Sequence, residues 1–477
     1  MGLMEADAST ANLEKDLIAR LDRLDVWPYS TTVLWIVGVG YLIAFFDISN
    51  VSFGIPVFSK VLHFGPGQDA WPITASLLGY VAGSWLSSNF ADAVGRKVGI
   101  ISATLMFTFG CIVTTFAFSL ASMVIGRFIT GMGIGAEIAV ISAYIGELAP
   151  AAVRGRYTSL ANVFAMLGQG IVPVVALGLV PNFDWGWRAM FLIGALGGLT
   201  LFAFPWIPES PRWLLSKRRH ADAAAVIEAA ERRAMARTGG QLPPPIEVAA
   251  EVHTHGFPTL ALFQRQFLGR VALLFAMWFV WYAGSYTWLG LGPTFFVDRG
   301  YTLTRSILFI AASSLGYPLG SLLATAIGDT FERKFTILTG VIVWAACFVV
   351  IGFTASQVAI YIAIFVLAAS LGSYLPLMYT LTAETFPTRA RATGVALTDG
   401  AGHLGGALGP IVALSVYAWG GIGSGFSTVF LFMAMTGVVT ALLLPFTIAA
   451  TRKSLEVVTK QEESAAAVST ATVRERA

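Results

Sequence analysis

Apolar residues along this chain do not alternate with polar ones. They run on in stretches of about 20 residues, the length at which a helix crosses the core of a bilayer. Twelve such spans are predicted, at residues 32–57, 71–90, 98–119, 122–146, 157–180, 188–207, 268–292, 305–327, 335–355, 358–382, 394–418 and 427–449. Three polar segments frame them. Residues 1–31 lack the basic-then-apolar start of a cleavable signal and are expected to form a cytosolic tail. Residues 216–265 contain ADAAAVIEAAERRAMAR, which reads as an amphipathic cytosolic helix, followed by a linker at Pro243, Pro244 and Pro245. Residues 451–477 are rich in Ala, Ser and Thr and are expected to be a disordered cytosolic tail.

Two polar patterns interrupt the apolar runs, and each is written twice. Glu147-x-x-Pro150-x-x-x-Arg154 returns as Glu384-x-x-Pro387-x-x-x-Arg391. Asp92-x-x-x-Arg96-Lys97 returns as Asp329-x-x-x-Arg333-Lys334, and both returns come 237 residues later. A membrane chain built from one unit repeated is expected to be a transporter with its site between the halves. The predicted fold is therefore an all-α membrane protein, with twelve transmembrane helices in two pseudo-symmetric six-helix bundles at 32–215 and 266–450.

Composition agrees with a membrane class: 56% of residues are hydrophobic and 12% charged, with a mean hydropathy of +0.73. Only Lys60, Arg188, Arg299 and Arg305 lie on one side of the predicted membrane and Arg127 lies within a span, which leaves 25 of the 30 Lys and Arg on the other side. That bias places both termini in the cytosol. The net charge of +3 is thus a loop bias and not a nucleic-acid footprint. Cys111 and Cys347 both fall in apolar runs, so no disulfide framework is expected. None of the five His has a ligand-spaced partner and no nucleophile–base set appears, so no metal, cofactor or enzyme activity is expected.

The ionisable residues inside the spans carry the candidate chemistry, because charge in hydrocarbon is costly and faces a cavity or a partner. Asp47 lies about 22 Å above the cytosolic start of span 1, and Arg127 about 8 Å below the outer end of span 4. In a core of about 30 Å these are the same level. Glu137 lies about 15 Å further down the helix of Arg127. Asp399 and His403, four apart on span 11, reach a similar level from the other half, so an inner polar cluster is possible. Asn162 and Gln169 share a face of span 5, and Trp281, Tyr282 and Tyr286 recur about one turn apart on span 7.

With Arg127-x-x-x-Gly131-x-Gly133 and Pro208-Glu209-Ser210-Pro211-Arg212-Trp213 added to the two duplicated patterns, the chain resembles the major facilitator superfamily over about residues 32–456. Within it, the resemblance is to the sugar porter and related organic-solute branch. Glu332, Ser88 and Ala93 depart from that branch without moving the Asp–Arg spacing. The resemblance implies that Asp47 and Arg127 act as a proton-switched pair. It implies that Asp92, Arg96, Glu147, Arg154, Asp329, Arg333, Glu384 and Arg391 bolt a cytosolic gate. Sugar porters carry amides where this chain has Val280, Trp281 and Tyr286, a Gln where it has Asn162, and often a Trp where it has Tyr379. A pocket of rings with few amides suits a ring-bearing solute such as nicotinate, an aromatic acid or an organic cation. The expected partners are that solute, protons and the lipid bilayer, with the chain acting as a monomer. A proton-coupled sugar porter and a transporter-like sensor are the alternatives. Glu137 and Asp399 favour a cation, Arg127 and a protonated His403 a carboxylate, and the sequence leaves that choice open.

Overall fold

The computed structural model describes residues 2–150, 152–240, 242–244, 262–263, 265–327, 331–386, 391–421 and 424–447. Asp329, Pro245, Pro387 and the tail at 451–477 lie outside the described residues, as do the side chains of Ser88, Arg154 and Arg391. The secondary structure of the described residues is helical throughout. Eleven helices among them are long and apolar enough to cross a membrane.

The elements follow the predicted spans closely. Helix α1 (Gly2–Asp22) precedes α2 (Thr31–Val61), α3 (Trp71–Val94), α4 (Arg96–Thr115), α5 (Leu120–Leu148) and α6 (Arg154–Leu179). Next come α7 (Gly186–Ala195), which tightens into a 3-10 helix at Leu196–Trp206, then α8 (Pro211–Ser216) and α9 (His220–Thr238). The second half has α10 (Arg265–Asp298), a span broken into α11 (Leu303–Ala311) and α12 (Gly316–Ile327), α13 (Arg333–Phe353) and α14 (Gln357–Glu384). The chain then runs through α15 (Arg391–Val395), a π-helical turn (Ala396–Gly400), α16 (Ala401–Gly420) and α17 (Gly425–Leu443). Helix α3 is the 24-residue element at the second predicted span. Prolines 56, 173, 293, 376 and 410 sit inside α2, α6, α10, α14 and α16, where each removes a backbone donor.

Close helix contact is made by glycine. A Cβ added to Gly131 on α5 would stand 1.9 Å from the Ser76 carbonyl on α3, and one added to Gly135 would stand 2.2 Å from that of Tyr80. This small-xxx-small pattern brings the two backbones together without a hydrophobic driving force, which lipid does not supply. The same device joins α10 to α16, where a Cβ on Gly405 would meet the Phe279 carbonyl at 1.9 Å. Large apolar side chains remain on the outside, among them Trp85, Phe202 and Trp419. They form the surface that lipid covers.

Residues 1–31, expected only as a tail, contain a docked helix. Leu17, Leu21 and Leu24 are buried in one cluster with Ala223, Ile227, Ala230 and Ala234 of α9. Arg20 and Arg23 both reach Glu231, at 2.7 and 2.6 Å, and Arg212 holds Asp22 at 2.7 Å. Arg237 donates to the Trp27 carbonyl at 2.6 Å. Burial disfavours the Glu231 carboxylate, but hydrogen bonds from Arg20 and Arg23 outweigh it and hold the group below its usual 4.5. A depressed native pKa contributes stability above the unfolded value, and that stability is lost as pH falls through the native one. The docking of α1 on α9 should therefore hold at neutral pH and weaken below 4.5. Hydrogen exchange over residues 12–22 checks this: Glu231→Gln should speed it at pH 7, and unchanged protection would contradict the assignment.

Candidate functional site

Three helices converge on a buried ion pair. Arg127 of α5 donates through Nη1 to Asp47 Oδ2 of α2 at 2.7 Å, with neither side chain exposed. Arg127 Nε donates to Ser76 Oγ of α3 at 2.8 Å, a contact made by the glycine packing of α3 against α5. The other carboxylate oxygen accepts from Asn50 Nδ2 at 3.0 Å and faces Cys111 Sγ at 3.6 Å. Each described hydrogen-bond partner of the Asp47 carboxylate is thus a donor. The pair's net worth is small because both charges are desolvated, but removing one partner leaves the other uncompensated at a cost of several kcal/mol.

A cavity of about 60 Å³, room for several waters, lies between the first and second halves of the chain. The first half supplies Phe45, Tyr80 and Gln169 to its wall, and the second supplies Trp281, Tyr282, Ser285, Tyr286, Tyr379 and His403. The His403 imidazole is flanked by Tyr80 at 4.1 Å and Tyr282 at 4.0 Å between ring centroids, so rings from both halves clasp it. Trp281 is held by an Nε1 bond to the Tyr374 hydroxyl at 2.9 Å, and Trp278 by one to Thr382 Oγ1 at 2.9 Å. Buried indoles fixed in this way present rigid faces.

Asp399 sits just behind that wall, in the π-helical turn of Ala396–Gly400. Tyr282 donates to Asp399 Oδ1 at 2.5 Å, and the Tyr379 hydroxyl lies 3.1 Å from that of Tyr282. His403 Nδ1 is 2.9 Å from the Asp399 carbonyl. A carbonyl only accepts, so Nδ1 carries a proton. A π turn aims backbone and side chains away from regular helical directions, a feature common at functional sites.

Of the residues singled out for the pocket, Gln169, Trp281, Tyr282, Tyr286, Tyr379 and His403 line this cavity. Gln169 also borders a smaller cavity of about 20 Å³ and donates to Ser49 Oγ at 2.6 Å. Asn162 is half-buried and outside the lining. Glu137 does not join Asp399 and His403: its Oε1 lies over Gly40 of α2, where any Cβ would come within 2.7 Å. Tyr80, Asn50 and Ser76 were not singled out from sequence.

At the far ends of these helices, Arg96 pairs with Glu147 at 2.8 Å and also with Asp92, while Arg333 pairs with Glu384. Each of these pairs stays within one half. Described contacts between halves toward the opposite end include a bond from Thr74 to the Ala407 carbonyl at 2.7 Å and the packing of Gly170 on Ser314.

The pattern of a family described as sugar (and other) transporter matches residues 68–460. The chain belongs to that family. Among the sequence relatives of this sugar transporter family member is the putative metabolite transport protein YyaJ of Bacillus subtilis. It is 27% identical over 430 residues, covering 90% of this chain and 94% of that protein. The niacin transporter NiaP of Acinetobacter baylyi is 27% identical, covering 83% of this chain and 89% of its own. The xylose transporter XylE of E. coli, solved in a partially occluded inward-open conformation, superposes with a TM-score of 0.71 at 19% identity. That match covers 89% of this chain and 99% of XylE, and it shows the shared fold. The protein is a membrane transporter of the sugar porter type and not an enzyme.

Proposed function

We propose that this sugar transporter family member carries a small ring-bearing organic solute across the cell membrane by proton symport. The reading counts α3 as a span, making twelve in two six-helix bundles, 32–215 and 266–450, that alternate access to the cavity between them. It places both termini and the α1–α9 unit in the cytosol, and it treats the chain as a monomer. The observation that carries it is the cavity wall of Trp281, Tyr282, Tyr286 and Tyr379, rings where a sugar site needs amides. The kinship with a protein named as a niacin transporter supports a ring.

In this reading Asp47 is the proton site. Ionised, it holds Arg127; neutralised by a proton, it leaves that guanidinium without its anion, and the helices carrying the two residues become free to shift. Such a switch needs a bias of only a few kcal/mol between conformations. The boxes at the cytosolic ends act as the inner gate. With the opposite end closed, Arg96–Glu147 and Arg333–Glu384 brace each half, and closure of the cytosolic end brings Arg154 and Arg391 into the network. A hexose remains the second reading, favoured by Ser285, Gln169 and the tyrosine hydroxyls of the wall.

Asp47→Asn should abolish accumulation driven by an inward pH gradient in proteoliposomes while counterflow exchange stays measurable; undiminished accumulation would remove Asp47 from the coupling. Uptake of any solute in that assay also separates a carrier from a sensor. Trp281→Ala should weaken binding of a ring solute by about tenfold, since losing one stacking face costs about 0.5–1.5 kcal/mol and about 1.4 kcal/mol is a factor of ten. Tight hexose binding that ignores this substitution would restore the sugar reading.

A further inference from the structure

The structure bears on a choice the sequence left open, the charge of the solute, and the inference rests on the ring-solute reading above. The two basic side chains nearest the cavity among the described residues are both engaged elsewhere. Arg127 gives its guanidinium to Asp47 and Ser76 and does not line the cavity. His403 spends its Nδ1 proton on the Asp399 carbonyl, and its ring is held between Tyr80 and Tyr282. No Lys or Arg is among the described residues that line the cavity.

The groups that attract a cation remain in place. Asp399 is buried one hydroxyl away from the cavity, and its described partner is a neutral phenol, Tyr282, at 2.5 Å. That bond orients the Tyr282 proton toward Asp399, so the Tyr379 hydroxyl donates to the phenol oxygen, whose second lone pair is left to accept. The faces of Trp281, Tyr282, Tyr286 and Tyr379 carry negative quadrupole potential, so they attract a cation and repel a carboxylate. A carboxyl in so dry a setting either holds a proton or is ionised against a counter-charge, and a cation in the cavity would supply the second.

We propose that the cavity accepts the ring of an organic cation, with Asp399, acting through the Tyr282 hydroxyl, as its counter-charge. Burial without a basic partner among the described residues, the direction of the Tyr282 bond and the aromatic wall then answer one requirement. Glu137 lies outside the lining and takes no part.

Three probes of nearly equal size test this on the purified full-length protein: 1-methylnicotinamide, a fixed cation; nicotinamide, neutral; and nicotinate, an anion. Calorimetric titration should show the cation binding about tenfold or more tighter than nicotinate, the scale of one desolvated cation–π contact plus a nearby counter-charge. Asp399→Asn should reduce the ratio of cation to nicotinamide affinity by about tenfold, and Asp399→Glu should retain the preference. The wild-type series stands without either variant. Nicotinate binding most tightly, three equal affinities, or a ratio untouched by Asp399→Asn would overturn the proposal while keeping the ring reading. A hexose binding where none of the three probes does would overturn both.

Discussion

At the centre of the first half of this protein one carboxylate meets one guanidinium with no exposed surface on either. Charge in hydrocarbon must be neutralised, and Asp47 and Arg127 do so at 2.7 Å. The guanidinium's second bond, to Ser76, depends on α3 and α5 approaching at backbone distance, which Gly131 and Gly135 allow. Asn50 and Cys111 are the donors at the remaining carboxylate oxygen. A pair so placed contributes little to stability as a pair, yet its disruption changes what the surrounding helices must satisfy. That is the property a switch needs.

The second half is built on a different principle. Its core near the cavity is aromatic, with Trp278, Trp281, Tyr282, Tyr374 and Tyr379 locked by hydroxyl and indole bonds. Among the described residues its buried acid, Asp399, is held by a phenol and not by a base. The two halves therefore divide the work: one keeps a self-neutralising pair, the other a wall of rings with a carboxylate behind it. They touch through Tyr80 on His403 and Thr74 on Ala407. A movement at the pair is thus one helix away from the ring cavity, because Ser76 and Tyr80 are a single turn apart on α3.

Much of this was legible in the sequence because it depends on spacing along a helix. A rise of about 1.5 Å per residue puts Asp47 and Arg127 at one level, and the duplicated boxes announce two related halves. What stayed hidden depends on rotation about the helix axis. Spans apolar on nearly all faces give no sign of which side meets which neighbour, so Tyr80 and Asn50 could not be told from core residues, and Asn162 was given a place in the pocket that it does not occupy. The π turn at Ala396–Gly400 has no simple local signature, and it decides where Asp399 points. The docking of α1 was readable in hindsight from Leu17, Leu21 and Leu24 at helical spacing, but their partners on α9 lie some 200 residues away (Arg20 to Glu231 spans 211).

The central claim is that the charge state of Asp47 sets which end of the molecule is closed, and distances across the end away from the boxes report it directly. Val61 and Val358 are exposed, at 52% and 67%, on opposite halves at that end. Spin labels there should give one short distance distribution at neutral pH and a growing longer component on acidification. In Asp47→Asn the longer component should be present at every pH. A wild-type distribution that ignores pH, or one that shifts with pH equally in Asp47→Asn, would contradict the account.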